Sequence, residues 1–354
     1  MDGIRADCSE KKENSEAILS DSNMEIYEAA QDLSKLNDEN VSKKRCLKTP
    51  PIYVMDARDT FSHNSSNTLN QSSLSQVSNT HLLIPKLMLE PSFLNFIPYD
   101  ELTRVISDFI FQKCVLESLK YIEIEVKIGQ LVDLSTRERL RLPVLTETII
   151  NSDELKIKFE SNMTESQHKY FNRFLNASFE KSQVKLKEGR TRIPMKYKHT
   201  KEIDRFYSNI SLNQNFQNRI RVTTEKKTGQ VISRLIKTRI ASLNIFSPKT
   251  RFDWRISVNI EKPVEPQPLG VLIMERDKDR LSYVHQYCQI DLTQVISENG
   301  PKTHELEVEL LNVDEIKRHG DAASHGQPND FENIVRVFVD NVRILVRQNI
   351  SDSH

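Results

Sequence analysis

The chain has 354 residues, with 50 Lys and Arg balanced by 50 Asp and Glu, so its formal net charge is zero. That balance argues against an extended positive surface for gripping duplex nucleic acid, but leaves room for a small basic pocket. The four cysteines are scattered without a CxxC pair, which excludes a disulfide framework and a cysteine-based zinc site. No apolar run reaches the roughly 18 residues that a membrane span needs. The sequence therefore predicts a soluble intracellular protein.

Residues 1–82 predict a disordered polar tail. Their composition, rich in Ser, Asn, Asp, Glu and Lys, cannot bury enough apolar area to offset the entropy of ordering. Two short segments of the tail are candidate recognition motifs, although chance composition is the simpler explanation for each. The basic triplet at 43–45 is a candidate nuclear import signal, and the apolar segment at 47–54 is a candidate docking peptide. Residues 83–354 are predicted to form a single folded domain.

Three helices are predicted in this domain. Apolar residues recur at helical spacing from Leu102 to Leu119, directly after an acidic start. A second helix is predicted to begin at Thr164, where Thr-Glu-Ser-Gln resembles a capping box. The last is predicted at 329–348, where Phe and Val repeat at helical spacing. We interpret the three apolar stripes as packing surfaces and not as cofactor sites.

Elsewhere the apolar period changes to two, which is typical of strands. The hairpin sequence Lys-Thr-Gly-Gln at 227–230 predicts a tight turn between two of them. Short connections between regular strands indicate a mainly antiparallel sheet or a closed barrel. The predicted strands are 121–132, 193–207, 217–225, 230–241, 252–262, 271–285, 286–294 and 303–312.

The first and last of these strands have acidic faces. Alternate residues of a strand share a face, so three glutamates align on the last strand and two on the first. Either strand alone is explained by a solvent-facing amphipathic strand. Glutamates about 7 Å apart on one face repel each other, however, and a hard divalent cation relieves that repulsion. The aligned residues are Glu123, Glu125 and Lys127 on the first strand, and Glu305, Glu307 and Glu309 on the last.

The strands between them have mainly basic faces. A closed barrel with a charged lumen, and an apolar exterior covered by helices, accounts for the acidic and the basic faces together. We therefore predict an α+β, mainly β fold: a closed antiparallel eight-stranded β-barrel with helices packed outside. In such a lumen, carboxylates hold metal while fixed cations bind a polyanion, which suits a triphosphate. The shared faces contain Arg219 and Arg221; Lys237 and Arg239; Arg255, Ser257, Asn259 and Glu261; Lys278, Arg280 and Ser282; and Gln289, Asp291 and Thr293.

Two of these segments resemble a known family. Ile-Glu-Ile-Glu-Val-Lys-Ile-Gly at 122–129 and Glu-Leu-Glu-Val-Glu at 305–309 resemble the metal-binding strands of fungal mRNA 5′-triphosphatases. These are the metal-dependent capping enzyme β subunits of the triphosphate tunnel metalloenzyme superfamily. The resemblance runs from about residue 85 to the end of the chain and includes the segments at 198–207 and 255–261. It implies that 83–354 is a triphosphate-tunnel catalytic domain.

The resemblance also implies roles for individual residues. The metal ligands would be Glu123, Glu125 and Glu309, with Glu307 beside them and Glu305 at the entrance of the strand. Glu261 would orient the attacking water. The residues that contact phosphate or support its contacts would be Arg221, Lys237, Arg255, Lys278 and Arg280. Supporting positions would be Lys127, Arg239 and Asp291. Two positions depart from the pattern: Arg255 stands where a lysine often occurs, and Gln289 where an arginine can occur.

The implied activity is removal of the γ-phosphate from triphosphate-ended RNA with Mg²⁺ or Mn²⁺, the first step of mRNA cap formation. Nucleoside triphosphate hydrolysis with manganese or cobalt is a further expectation. The resemblance implies a nuclear homodimer and association with a guanylyltransferase, with RNA polymerase II as a further candidate partner and no membrane. Because the single tryptophan, Trp254, lies in a predicted strand, the segment at 47–54 replaces a Trp-containing docking peptide as our candidate. The alternatives are a general nucleoside triphosphatase or polyphosphatase of the same fold, and a non-catalytic RNA-end-binding module.

Overall fold

The computed structural model describes residues 89–98, 100–117, 119–187, 193–208, 219–265, 270–298 and 300–348. All of them fall within one compact unit of the chain. The predicted polar tail, with its basic triplet and its apolar segment, lies outside the described residues, so its predictions stay predictions. Within the described ranges, helices long and apolar enough to cross a membrane are absent.

The strands form a closed antiparallel barrel. The strands are β1 (Ile122–Asp133), β2 (Thr148–Ile150), β3 (Ile157–Glu160), β4 (Lys196–Tyr207), β5 (Ile220–Glu225), β6 (Val231–Phe246), β7 (Asp253–Pro263), β8 (Leu272–His285), β9 (Cys288–Ser297) and β10 (Thr303–Leu310). Their hydrogen-bonded order is β10-β9-β8-β4-β5-β6-β7-β1, and β1 pairs with β10 to close an eight-stranded ring. The two short strands lie off the ring, where β3 pairs with β1 and β2 pairs with β6. The predicted fold class is confirmed.

Helices pack on the outside of this barrel. The described part of the chain forms α1 (Glu101–Ile110), which continues into a π-helical turn (Phe111–Leu116), α2 (Glu165–Lys187), α3 (Val313–Ser324) and α4 (Phe331–Val346). The three predicted helices are α1, α2 and α4. The sequence did not reveal α3, because its buried residues include Gly320 and Ala323, which give only a weak apolar period.

Local sequence signals mark where elements begin and turn. The Thr164 hydroxyl accepts a hydrogen bond from the Gln167 backbone N–H (3.2 Å), and the Thr164 N–H donates to Gln167 Oε1 (2.9 Å). This reciprocal pair is the predicted capping box, and it satisfies two backbone donors at the start of α2. Between β5 and β6, Gly229 adopts a φ of 72° and its N–H donates to the Glu225 carbonyl. The predicted hairpin turn is therefore present.

The main hydrophobic core lies between the barrel wall and the helices. The apolar residues of β1 and β10 that alternate with the glutamates, such as Ile124 and Val308, are fully buried against this layer. Val335 and Phe338 of α4 belong to the same core and are equally inaccessible. Because burial outside the barrel supplies the hydrophobic stabilisation, the inward faces are free to be polar.

A second, smaller core lies where β3 crosses the end of β1. A Cβ atom at Gly129 would lie 2.0 Å from the Glu160 carbonyl oxygen, so only glycine allows β3 to approach this closely. Phe159 of β3 packs there against Leu131 and Phe246. The crossing therefore brings an aromatic ring to one end of the barrel.

Candidate active site

The acidic strands are neighbours in the barrel wall. In the β1–β10 ladder, Glu125 pairs with Glu309 and Lys127 with Glu307. Opposite residues of an antiparallel ladder point to the same side of the sheet, so all four side chains enter the lumen. Glu125 is only 5 % exposed, although it is a carboxylate. The closure of the barrel thus brings together acidic groups from the two ends of the domain.

Lys237 and Asn259 hold two of these carboxylates in place. Asn259 Nδ2 donates to Glu123 Oε2 (2.9 Å) and to Glu125 Oε1 (3.0 Å). Lys237 Nζ forms an ion pair with Glu123 and lies 3.2 Å from Glu125 Oε2 and 3.4 Å from Glu261 Oε1. Burial lowers the pKa of Lys237, but the charges of Glu125 and Glu123 outweigh it and leave that pKa raised. One ammonium group therefore connects three acidic side chains.

Glu309 and Glu307 have opposite electrostatic surroundings. Burial, followed by the negative charge of Glu123, raises the pKa of Glu309 to about 8. Burial also acts on Glu307, but the Lys127 ammonium ion-paired with it holds the pKa of Glu307 well below its usual range. Glu309 therefore lies in a region of net negative charge, whereas the ammonium of Lys127 neutralises the charge of Glu307.

Arginine and lysine side chains line the facing part of the lumen. Arg221 donates through an amino group to Glu261 Oε1 at 3.0 Å. Lys278 Nζ lies 2.7 Å from Asp204 Oδ2 in a pair that is almost fully buried. Burial and then the charge of Arg280 lower the pKa of Lys278 despite this partner. These cations lie close enough to influence one another and form a concentrated positive region.

The remaining predicted wall residues extend this region. Arg280 lies 3.4 Å from Asp291, and Gln289 Nε2 donates to the same Asp291 oxygen at 3.1 Å. Gln289 thus supplies a neutral hydrogen bond to Asp291 in place of the charge that an arginine would bring. Burial outweighs the Arg280 charge and raises the pKa of Asp291. Near the start of β10, Glu305 Oε1 accepts a hydrogen bond from an amino group of Arg276 at 2.8 Å.

Arg255 and Arg239 differ from the other cations because no carboxylate partner for either occurs among the described residues. Arg255 Nε donates to Asn244 Oδ1 at 2.7 Å, and its guanidinium lies over the Phe159 ring. Burial, followed by the charge of Arg239, lowers the pKa of Arg255 to about 10. The two arginines therefore repel each other without a compensating anion.

Comparisons with known proteins identify the family. The family described as "mRNA capping enzyme, beta chain" matches residues 96–351. The mRNA-capping enzyme subunit beta of Schizosaccharomyces pombe is 40 % identical over 272 residues, covering 75 % of this chain and 86 % of that protein. The chain belongs to the family of mRNA capping enzyme β chains. The family predicted from the acidic strands is confirmed.

Other β chains are longer and more distant. The Cryptococcus neoformans subunit beta is 33 % identical, with 73 % of this chain and 64 % of that protein covered. The Candida albicans protein is 31 % identical, with 73 % and 51 % covered, so this chain spans about half of it. A solved structure, that of the S. pombe Pct1 RNA triphosphatase in complex with the Spt5 CTD, matches with a TM-score of 0.69 and 40 % identity, covering 74 % of this chain and 100 % of that one.

The donor set of this β chain fits a hard divalent cation. Glu123, Glu125 and Glu309 offer only carboxylate oxygens, which Mg²⁺ and Mn²⁺ prefer. Among the described residues, no three His, Cys, Asp or Glu side chains already form a metal-binding group. The ammonium of Lys237 instead compensates the charge of Glu123 and Glu125. Burial, followed by the negative charges of Glu123, Asp291 and Glu261, raises the pKa of Glu309, so a further positive charge at these carboxylates would be favourable.

Several residues of this site had no role in the sequence-based prediction. Strand alternation placed Asn259 on the same face of β7 as Glu261, but it did not indicate the hydrogen bonds from Asn259 to Glu123 and Glu125. Asp204 could not be found that way, because β4 has charged or polar residues on both of its faces. Asn244 and Phe159 contact Arg255 from β6 and β3, and only the register of the strands brings them there.

Proposed function

We propose that this chain hydrolyses the β–γ anhydride of triphosphate-ended RNA, releasing phosphate and leaving a diphosphate end as the first step of cap formation. The observation that carries the proposal is the closed lumen in which Glu123, Glu125 and Glu309 face a wall of buried cations. The relatives are named mRNA-capping enzyme subunit beta, and the S. pombe structure is named an RNA triphosphatase. Those names support RNA as the substrate.

The acidic side of the lumen would hold the metal and position water. Glu123, Glu125 and Glu309 would bind a Mg²⁺ or Mn²⁺ ion, with Glu307 beside them. Such an ion supplies charge stabilisation at the phosphate oxygens of the group being transferred. Glu261 accepts the proton of the water whose oxygen attacks the γ-phosphorus, while the bond from that phosphorus to the bridging oxygen breaks. The diphosphate end leaves with the bridging oxygen.

The basic side of the lumen would bind the polyphosphate. Arg221 lies 3.0 Å from Glu261, so it is placed to contact the phosphate that the water attacks. Lys237 contacts the same carboxylate and serves the same phosphate. Lys278 and Arg280 neutralise the other oxygens, and Asp204 and Asp291 orient them. Fixed donors of this kind lower the barrier because they need no reorganisation as charge develops.

We further propose the assembly and location that accompany this activity. In this proposal the chain acts with a guanylyltransferase, as a homodimer in the nucleus, near RNA polymerase II. The Spt5 CTD bound to the S. pombe protein supports a link with the transcription machinery. Size-exclusion chromatography with light scattering tests the dimer, and a monomeric mass would exclude it.

The deciding experiment uses RNA labelled with ³²P at the γ-phosphate. We expect release of labelled phosphate with Mg²⁺ or Mn²⁺ and none after chelation by EDTA. The same RNA labelled at the β-phosphate should keep its label, which locates the cleaved bond between the β- and γ-phosphates. Cleavage of free nucleotides without release from RNA would instead favour the general nucleoside triphosphatase. Binding of triphosphate-ended RNA without hydrolysis under any metal would favour the non-catalytic module.

A further inference from the structure

Among the residues that the structure describes, two arginines lie over phenylalanine rings, and they differ in what their guanidinium groups bind. Arg139 lies 5.6 Å from the centre of the Phe246 ring, and Arg255 lies 4.8 Å from that of Phe159. Arg139 donates to both carboxylate oxygens of Asp253, at 3.0 Å and 2.6 Å, and also to two backbone carbonyls. Its donors are therefore used within the protein, and Arg139 is a structural residue.

Arg255 has only its Nε–H engaged. That group donates to Asn244 Oδ1, and no acceptor among the described residues binds its two terminal amino groups. Neither amino group belongs to the buried polar atoms that lack a partner, so both have some surface accessible to solvent. A guanidinium held at Nε with both amino groups accessible matches the two-pronged geometry by which arginine binds phosphate.

The group that holds Arg255 is itself fixed. Asn244 is 4 % exposed, and its Nδ2 donates to Ser152 Oγ at 2.7 Å. Because that bond uses the amide nitrogen, the amide oxygen is the atom turned to Arg255. The Phe159 ring covers one face of the guanidinium and so restricts the plane in which its amino groups lie. A lysine at position 255 would have neither the Nε–H nor the planar face that this arrangement uses.

Arg255 also lies away from the group to be transferred. It is on the same strand and the same lumenal face as Glu261, six residues apart, which is about 20 Å along an extended strand. In the β1–β7 ladder, Glu123 lies opposite Asn259 and Glu125 opposite Ser257, so Arg255 lies beyond both of them on the side away from Glu261. An anion bound by Arg255 therefore belongs to the part of the substrate that is not cleaved.

We propose that Phe159 and Asn244 are positioning residues for Arg255. They orient its guanidinium so that both amino groups bind a phosphate at the end of the polyphosphate nearest the RNA chain. This inference rests on the proposed function. It identifies two neutral residues as determinants of substrate affinity in a lumen where charged residues dominate. It also gives a physical reason for arginine at position 255, because the ring and the amide orient a guanidinium but not an ammonium group.

The test is a double-mutant cycle on triphosphate-ended RNA. In Phe159→Leu we expect KM to rise about two- to fivefold, the range of a cation–π contact, while kcat stays the same. Phe159→Tyr keeps the ring and should restore the wild-type KM. In an Arg255→Met background, Phe159→Leu should leave KM unchanged, because no cation then lies over the ring. Asn244→Ala should raise KM only when Arg255 is present.

Phe331→Leu is the matched control, because it makes the same change at a buried ring of the helix layer, which packs on Phe111 and not on Arg255. It should lower thermal stability and leave KM unaltered. An unchanged KM in Phe159→Leu, or an equal rise in both backgrounds, would overturn the inference. Both results require an active wild-type protein. A wild-type protein that releases no γ-phosphate refutes the proposed function instead, so the two failures are distinguishable.

Discussion

Glu125 and Glu309 face each other directly across the ladder that closes the barrel, one from the first strand of the ring and one from the last. The two residues nevertheless differ in their surroundings. Asn259 and Lys237 hold Glu125, whereas burial and the charge of Glu123 raise the pKa of Glu309. A cation shared by the pair would remove the asymmetry.

Glu125→Gln should strongly reduce metal-dependent hydrolysis. The amide keeps the shape of the side chain but removes a charged oxygen ligand, so we expect kcat/KM to fall about 10²- to 10³-fold. The measurement is phosphate release as a function of metal concentration. Glu275→Gln is the control, because it removes a carboxylate paired with Arg205 on the outer face of β8. Full activity of Glu125→Gln at wild-type metal concentration would contradict the metal site.

Glu261→Gln should separate catalysis from metal binding. We expect kcat to fall about 10²- to 10⁴-fold, the usual contribution of a general base, because an amide cannot accept the proton of water. The metal concentration that gives half-maximal activity should stay near the wild-type value. If the variant instead requires much more metal and then recovers its rate, Glu261 is a ligand and not the base.

Asp204→Asn should destabilise the protein, because it leaves the buried ammonium group of Lys278 without a charged partner. Asp204 and Lys278 are both almost fully buried, and breaking a buried ion pair costs about 3–5 kcal/mol of the free energy of unfolding. Urea denaturation measures this loss. Asp277→Asn removes the partner of Lys226 at an exposed position of the same strand, where the cost should stay below about 1 kcal/mol. Equal losses in the two variants would show that the buried pair has no special role.

Stability should fall as the pH drops from about 6.5 to 4, because of His168. Burial, followed by the charge of His304, whose ring centre lies 4.6 Å from that of His168, lowers the pKa of His168 to about 4. The unfolded chain binds a proton near pH 6.5 while the folded chain stays neutral, so protonation favours unfolding in that window.

The expected contribution of His168 is about 1–3 kcal/mol, complete above pH 6.5 and lost near pH 4. Urea denaturation at pH 7 and pH 5 measures it. His168→Phe keeps a ring against His304 and should flatten the pH dependence. His325→Asn, at an exposed position, should leave the wild-type slope. A slope that is equally steep in His168→Phe and in the wild type would show that another group is responsible.

The barrel strands could be predicted from the sequence because lumenal and outer residues alternate along each of them. The family followed from the acidic segments at 122–129 and 305–309. The partners inside the lumen could not be predicted, because they depend on the stagger of the strands. That stagger places Lys237 among three acidic groups and Asp204 beside Lys278.

Short and weakly patterned elements were also beyond the sequence. Strand β3 has only four residues, too few for a period of two to be distinguished from chance. It nevertheless delivers Phe159 to Arg255, because Gly129 allows it to cross β1. The aromatic contact is therefore a property of the assembled barrel and not of any one segment.

The pairing of β1 with β10 also has a consequence for how the protein is made. Glu125 is synthesised early and Glu309 late, so a ribosome must complete almost the whole domain before both can meet. Contacts between such distant parts of a chain form slowly, because the loop between them must first be closed. A divalent cation that bridges the two strands would bind only the folded chain and would stabilise it. The ion that serves catalysis would then also clamp the seam where the barrel closes.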